Sequence, residues 1–165
     1  AGSTWPKDEE LLVEYLKKHS EIKLILVPHE IHDSHISGII KLLDKKHIRF
    51  TEANEQNIGD ANCLIVDTIG MLSSIYQYAN VAYIGGGFGV GIHNTLEAAV
   101  WNVPVVFGPN YQKFREAREL IAEGGGFSIS NYNELENNFE KLLKENKAGK
   151  IAGEYVKKNT GATDL

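Results

Sequence analysis

Short apolar, β-branched runs alternate along the chain with segments whose apolar residues recur at helical spacing. The runs predict strands over 23–27, 48–51, 63–66, 81–85, 103–107 and 126–129. The 3.6-residue period predicts helices over 8–18, 34–46, 71–78, 95–100, 112–123 and 134–145, with a last helix over 147–158. In the first helix Leu11, Leu12, Tyr15 and Leu16 recur at helical spacing. Asp8, Glu9 and Glu10 open it and Lys17 and Lys18 close it, complementing the helix dipole. Strand–helix alternation of this kind predicts an α/β fold: a Rossmann-like, doubly wound, mostly parallel sheet covered on both faces. In such open sheets ligands bind beyond the carboxyl ends of the strands, so function belongs in the strand-to-helix loops.

Composition narrows the class. The 165 residues suit one domain, residues 1–165, with a sizeable core. Hydrophobic residues at 42% and charged ones at 24% are ordinary for a soluble globular chain. A net charge of −5 argues against a nucleic-acid partner, which needs a basic footprint. The C-terminal lysines (Lys141, Lys144, Lys147, Lys150, Lys157, Lys158) are interleaved with acidic residues and read as solvated helix faces. Cys63 is a lone, buried thiol, and a reducing cytoplasm fits. No apolar run approaches the ~20 residues that span a bilayer. An opening on Ala1 without Met suggests a fragment.

The strongest local feature follows the predicted strand at 81–85. Five glycines stand among the seven residues 85–91, and His93-Asn94-Thr95-Leu96-Glu97 opens the next helix. Glycines permit φ > 0 and close approach of a ligand to the main chain, and helix N–H groups point into the loop. Together these suggest a phosphate site; a turn serving topology alone is the alternative. The run is neither a dinucleotide fingerprint nor a P-loop. Asn94 and Glu97 have capping-box spacing, and equally the Glu97 carboxylate could accept both hydroxyls of a ribose. His93 is either a polar filler or a donor to a phosphate or sugar acid. Asp67-Thr68-Ile69-Gly70-Met71 reads as a βα loop with Thr68 as N-cap and Gly70 in a tight turn. His29, His32 and His35 crowd one loop, but the spacing is poor for zinc; recognition of phosphate or an acidic sugar fits better. Gly108-Pro109 marks a turn, and Lys113 beyond it is a surface residue or a ligand contact. No catalytic triad, reactive cysteine or acid/base carboxylate pair stands out.

Taken in order, Gly85-Gly86-Gly87-Phe88, His93-Asn94-x-Leu96-Glu97-Ala98, Pro104-Val105 and Gly108-Pro109 resemble the donor domain of Kdo (3-deoxy-manno-octulosonate) transferases. Ala1-Gly2-Ser3-Thr4, Asp67-Thr68-x-Gly70-x-Leu72 and Asn159-x-Gly161-Ala162-Thr163 are similar too, so the resemblance covers nearly the whole chain. It implies the C-terminal half of a GT-B glycosyltransferase that moves Kdo from CMP-Kdo to lipid A precursor (lipid IVA) with inversion, without bound metal or cofactor. The full-length enzyme is then expected at the cytoplasmic face of the bacterial inner membrane, meeting the membrane surface peripherally. By the match, Ser3 and Thr4 lie near the donor phosphate, and Ile69, Gly70 and Met71 offer main chain to cytosine. The glycines at 85–89, Gly86 and Gly87 among them, cradle phosphate with Asn94, and Glu97 holds the ribose. His93 and His29 complete the set.

Two departures stand out. Pro28-His29-Glu30 replaces the family's Pro-Arg-His, leaving His29, His32 and His35 as candidates for the phosphate contact, and Gly91-Ile92-His93-Asn94 replaces Gly-Gly-His-Asn. The resemblance assigns the catalytic carboxylate and lipid surface to an N-terminal domain that this chain lacks, so the chain alone is expected to bind CMP weakly and transfer nothing. A GT-B domain for a UDP-sugar, or an inert nucleotide-binding module, are the alternatives.

Overall fold

The computed structural model describes residues 1–43 and 46–161. Positions 44–45 of the expected helix 34–46 and Ala162-Thr163 of the C-terminal motif lie outside the described residues.

Among the described residues seven strands form one sheet: β1 (Gly2–Thr4), β2 (Leu24–Pro28), β3 (His47–Arg49), β4 (Cys63–Ile65), β5 (Ala82–Ile84), β6 (Val105–Phe107) and β7 (Gly126–Ser128). Their order is β3-β4-β2-β1-β5-β6-β7, and every pairing is parallel. The helices are α1 (Pro6–Lys18), α2 (Asp33–Leu42), α3 (Leu72–Ile75), α4 (Leu96–Ala99), α5 (Arg115–Glu123), α6 (Tyr132–Leu142) and α7 (Lys147–Thr160). They cover both faces, and the two-residue period of the strands decides which side chain goes where. Leu26, Ile65, Tyr83 and Val106 join α1, α2 and α6 in one core cluster. Ala82, Ile84, Val105 and Phe107 join α4, α5 and α7 in the other. No described helix is long and apolar enough to cross a membrane.

The chain winds from β1 to one side through β2, β3 and β4, then crosses to the other side of β1 with β5. The winding therefore reverses at the β1–β5 junction, the place where open sheets of this kind form a ligand crevice at the carboxyl ends of the strands.

Several elements differ from expectation. Gly2–Thr4 is a strand, and the middle one of the sheet, although Gly and Ser are poor strand formers. Glycine is required there: a Cβ on Gly2 would stand 2.0 Å from the Tyr76 hydroxyl oxygen. The expected strand at 48–51 ends at Arg49 and tightens into a 3₁₀ turn over Phe50–Glu52. Asp67 holds that turn, accepting from the Thr51 N–H (3.1 Å), the Thr51 hydroxyl (2.6 Å) and Arg49 Nε (2.9 Å). The helix expected at 71–78 is one α-turn, Leu72–Ile75, continued as 3₁₀ over Tyr76–Tyr78. Thr68 does not cap it; its hydroxyl faces Met71 Sδ at 3.2 Å. The helix expected from Gln112 begins only at Arg115, leaving Lys113 exposed in the preceding loop.

Candidate functional site

The crevice is rimmed by the loops that follow β1, β2, β5 and β6. The glycine loop after β5 forms its floor. Gly85 packs on β1, where an added Cβ would stand 2.2 Å from the Ser3 carbonyl oxygen; Ser3 itself has a left-handed φ of 52°. Gly87 meets Gly108 after β6, with 2.6 Å between a would-be Cβ and the Gly108 Cα. Gly86 and Gly91 have φ of 95° and 118°, and the Gly91 N–H closes back onto the Gly86 carbonyl at 2.9 Å. Most of these glycines thus serve close main-chain packing. Gly89, with open space around it, does not.

Two carboxylates of the first turn of α1, which the sequence reading takes only as complements to the helix dipole, are buried here. Asp8 is 1% exposed and Glu9 2%. Asp8 Oδ2 accepts the Trp5 N–H (2.9 Å) and the Gly86 N–H (3.0 Å), while Oδ1 accepts the Tyr83 hydroxyl (2.6 Å). Glu9 Oε1 accepts the Thr4 hydroxyl at 3.0 Å and faces His35 Nε2 at 2.8 Å. Acidic residues in a helix's first turn satisfy the dipole on the surface too; the partner that buries Asp8, Tyr83, lies 75 residues away.

The expected site residues separate accordingly. Thr4 is buried with its hydroxyl committed to Glu9. The Gly86 N–H is committed to Asp8, so Gly86 shapes the loop and its amide does not face the crevice. Among the described residues the N–H groups of Gly87, Phe88, Val90, Asn94 and Thr95 have no protein acceptor. They form a run of main-chain donors from the glycine loop into the start of α4, an arrangement suited to an anion.

Asn94 is exposed and its Oδ1 accepts the Leu96 N–H at 2.9 Å. No capping box forms: Thr95 is the N-cap position of α4, and Glu97 stands half-buried with Oε1 3.5 Å from Asn94 Nδ2. The three histidines after β2 part company. His32 caps α2, accepting the His35 N–H at Nδ1, and faces Glu30; His35 faces Glu9. Only His29 of the three turns to the crevice. Its ring stacks on Trp5 (centroids 4.6 Å apart) and lies 4.8 Å from the ring of His93. Burial, and secondly His29, hold the His93 imidazole below its ordinary protonation range, against the pull of Asp8 and Glu97.

Ile69, Gly70 and Met71 sit on the β4–α3 loop, with Gly70 at φ 91° and Ile69 88% exposed. Leu72 and Tyr76 beyond them pack on Gly2, which brings the loop beside β1. Among the described residues no hydrogen bond links 69–71 to the glycine loop. A separate apolar cavity of about 340 Å³ opens at the amino ends of the strands, between Leu12, Tyr15, Leu24 and Tyr76; it contains none of the expected site residues.

No family profile matches the chain. The sequence is 33% identical over 174 aligned residues to a 3-deoxy-D-manno-octulosonic acid transferase of Aquifex aeolicus, covering 96% of this chain and 47% of that protein. It is 26% identical over 163 residues to a bifunctional glycosyltransferase/methyltransferase of Fusobacterium nucleatum subsp. nucleatum, covering 96% of this chain and 26% of that protein. The chain therefore spans about half the length of the first relative and about a quarter of the second. Among solved structures, the C-terminal CMP-Kdo binding domain of WaaA from Acinetobacter baumannii superimposes with a TM-score of 0.75 at 24% identity, covering 95% of this chain and 85% of that one.

The fold is thus an α/β, Rossmann-like domain, shared with that CMP-Kdo binding domain. Its relatives include 3-deoxy-D-manno-octulosonic acid transferases, to part of whose length this chain is similar.

Proposed function

We propose that the chain is the CMP-Kdo-binding part of a Kdo transferase. The carrying observation is the run of main-chain donors at Gly87, Phe88, Asn94 and Thr95, opening on the β1–β5 switch point, in a chain related to these transferases over almost its whole length. The donor phosphate lies on those N–H groups, beside Ser3 and Thr4, with His29 and His93 supplying the polar side chains. Glu97 accepts the ribose hydroxyls. The main chain of Ile69, Gly70 and Met71 meets the cytosine edge, a position for which the exposed loop beside β1 is suited.

In the full-length protein the Kdo group moves to a lipid A precursor with inversion, and the carboxylate that activates the acceptor belongs to a preceding domain. That enzyme works at the cytoplasmic face of the inner membrane without resident metal or cofactor. This chain's share of catalysis is to bind CMP-Kdo and hold its phosphate against main-chain dipoles, where they stabilise the charge that grows on the leaving CMP.

Calorimetry with CMP, UMP and AMP tests the reading. CMP is expected to bind weakly but in preference to the other two, and the chain alone is expected to transfer no Kdo. A preference for UMP would favour a UDP-sugar donor, and no binding at all would sink the nucleotide reading.

A further inference from the structure

Trp5 follows β1 and lies half-buried over the crevice. Its indole Nε1–H points at His93 Nε2 across 3.4 Å. An indole N–H donates and has no lone pair to accept with. His93 Nε2 must therefore present a lone pair, which leaves a neutral ring whose single proton is on Nδ1. The rest of the ring's surroundings agree. Its Cδ2 edge lies against Gly86, 3.2 Å from where a Cβ would stand. His29, stacked on Trp5, braces the same cluster from its other side. Among the described residues His93 Nδ1 has no acceptor.

We propose that Trp5 is a positioning residue that fixes His93 as the Nδ1–H tautomer, so that the ring offers a hydrogen-bond donor to the ligand in the crevice. The ligand part rests on the CMP-Kdo reading; the tautomer part does not. The chemistry of the choice is simple. With the proton on Nδ1, His93 donates to an oxygen of a phosphate or a sugar carboxylate. With the proton on Nε2, two N–H groups would confront each other at Trp5, and the Nδ1 lone pair would face the anion. Trp5 thereby selects for an acceptor-rich, anionic group.

Long-range ¹H–¹⁵N correlation spectra of the chain at neutral pH test this directly, with the His93 ring identified by its loss in His93→Gln. The wild type is expected to show a protonated Nδ1 and an unprotonated Nε2. Trp5→Phe keeps a ring for His29 to stack on but removes the donor. In it the Nε2–H form is expected to gain population, and CMP affinity to fall about fivefold, the worth of one ordinary hydrogen bond. An Nε2–H or doubly protonated His93 in the wild type overturns the proposal. So does a Trp5→Phe spectrum identical to the wild type, or full CMP affinity in that variant. If the variant does not fold, the wild-type spectrum decides alone. If the spectra behave as expected while neither form binds CMP, the tautomer assignment stands and the nucleotide reading is what fails.

Discussion

Asp8 Oδ2 accepts the Gly86 N–H at 3.0 Å, joining the first turn of α1 to the glycine loop across 78 positions of sequence. The same carboxylate takes the Trp5 N–H and the Tyr83 hydroxyl, and all of this is buried. Asp8→Ala leaves three donors without an acceptor and is expected to destabilise the chain by about 3 kcal/mol. Asp8→Asn is expected to cost less, because the Tyr83 hydroxyl can turn to accept from the amide while the amide oxygen keeps both N–H groups. Urea denaturation of the two variants measures the difference.

The glycines of the loop divide into those that pack and the one that does not. A methyl group at Gly87 drives into the Gly108 main chain at 2.6 Å, so Gly87→Ala is expected to cost about 2–4 kcal/mol and to abolish nucleotide binding. Gly89→Ala meets open space and is expected to be neutral or slightly stabilising, by up to about 1 kcal/mol. Denaturation midpoints of the pair check whether packing or ligand approach dictates these glycines.

The pattern of the chain made most of the sheet legible. Strands such as Ala82–Ile84 and Val105–Phe107 are short apolar runs between helical periods, and the doubly wound sheet follows from their alternation. β1 was not legible. Gly2-Ser3-Thr4 has the composition of a loop, and it is a strand because Tyr76 and Leu72 close over a position that admits no side chain. The burial of Asp8 and Glu9 is not legible for a related reason: a helix's opening carboxylates look the same whether they face water or a tyrosine from a distant strand. Thr68 illustrates the limit of capping rules, since the turn it would cap starts four residues later, with Met71 in the N-cap position. The glycine loop stands out in the sequence as a candidate, whereas the commitment of the Gly86 N–H to Asp8, with no protein acceptor for the Gly87 N–H, shows only in the hydrogen bonds.

The His93 pKa carries a sign. Its folded value lies below the ordinary imidazole value, through burial first and His29 second, so between the two values the unfolded chain binds more protons. The stability contributed by neutral His93 is therefore present above the unfolded value of about 6.5 and is lost as pH falls through it toward the folded value. Stability of the wild type is expected to drop more between pH 7.5 and 5.5 than that of His93→Gln, as paired denaturation curves would show. An equal drop would remove His93 from the account of acid sensitivity.

We propose that Glu97 holds the ribose. CMP is expected to bind about tenfold tighter than 2′-deoxy-CMP, and Glu97→Ala is expected to erase that preference while weakening 2′-deoxy-CMP little. A preference that survives in Glu97→Ala would return Glu97 to a structural role beside Asn94 and Tyr76.

The central claim, that the β1–β5 crevice is a CMP site, is tested most directly by an amide NMR titration with CMP, using UMP and AMP as controls. The account predicts CMP-selective shifts at Gly70, Gly87, Asn94 and Glu97. Shifts that do not distinguish the nucleotides, or that gather around Leu12, Leu24 and Tyr76 at the opposite end of the sheet, would contradict it.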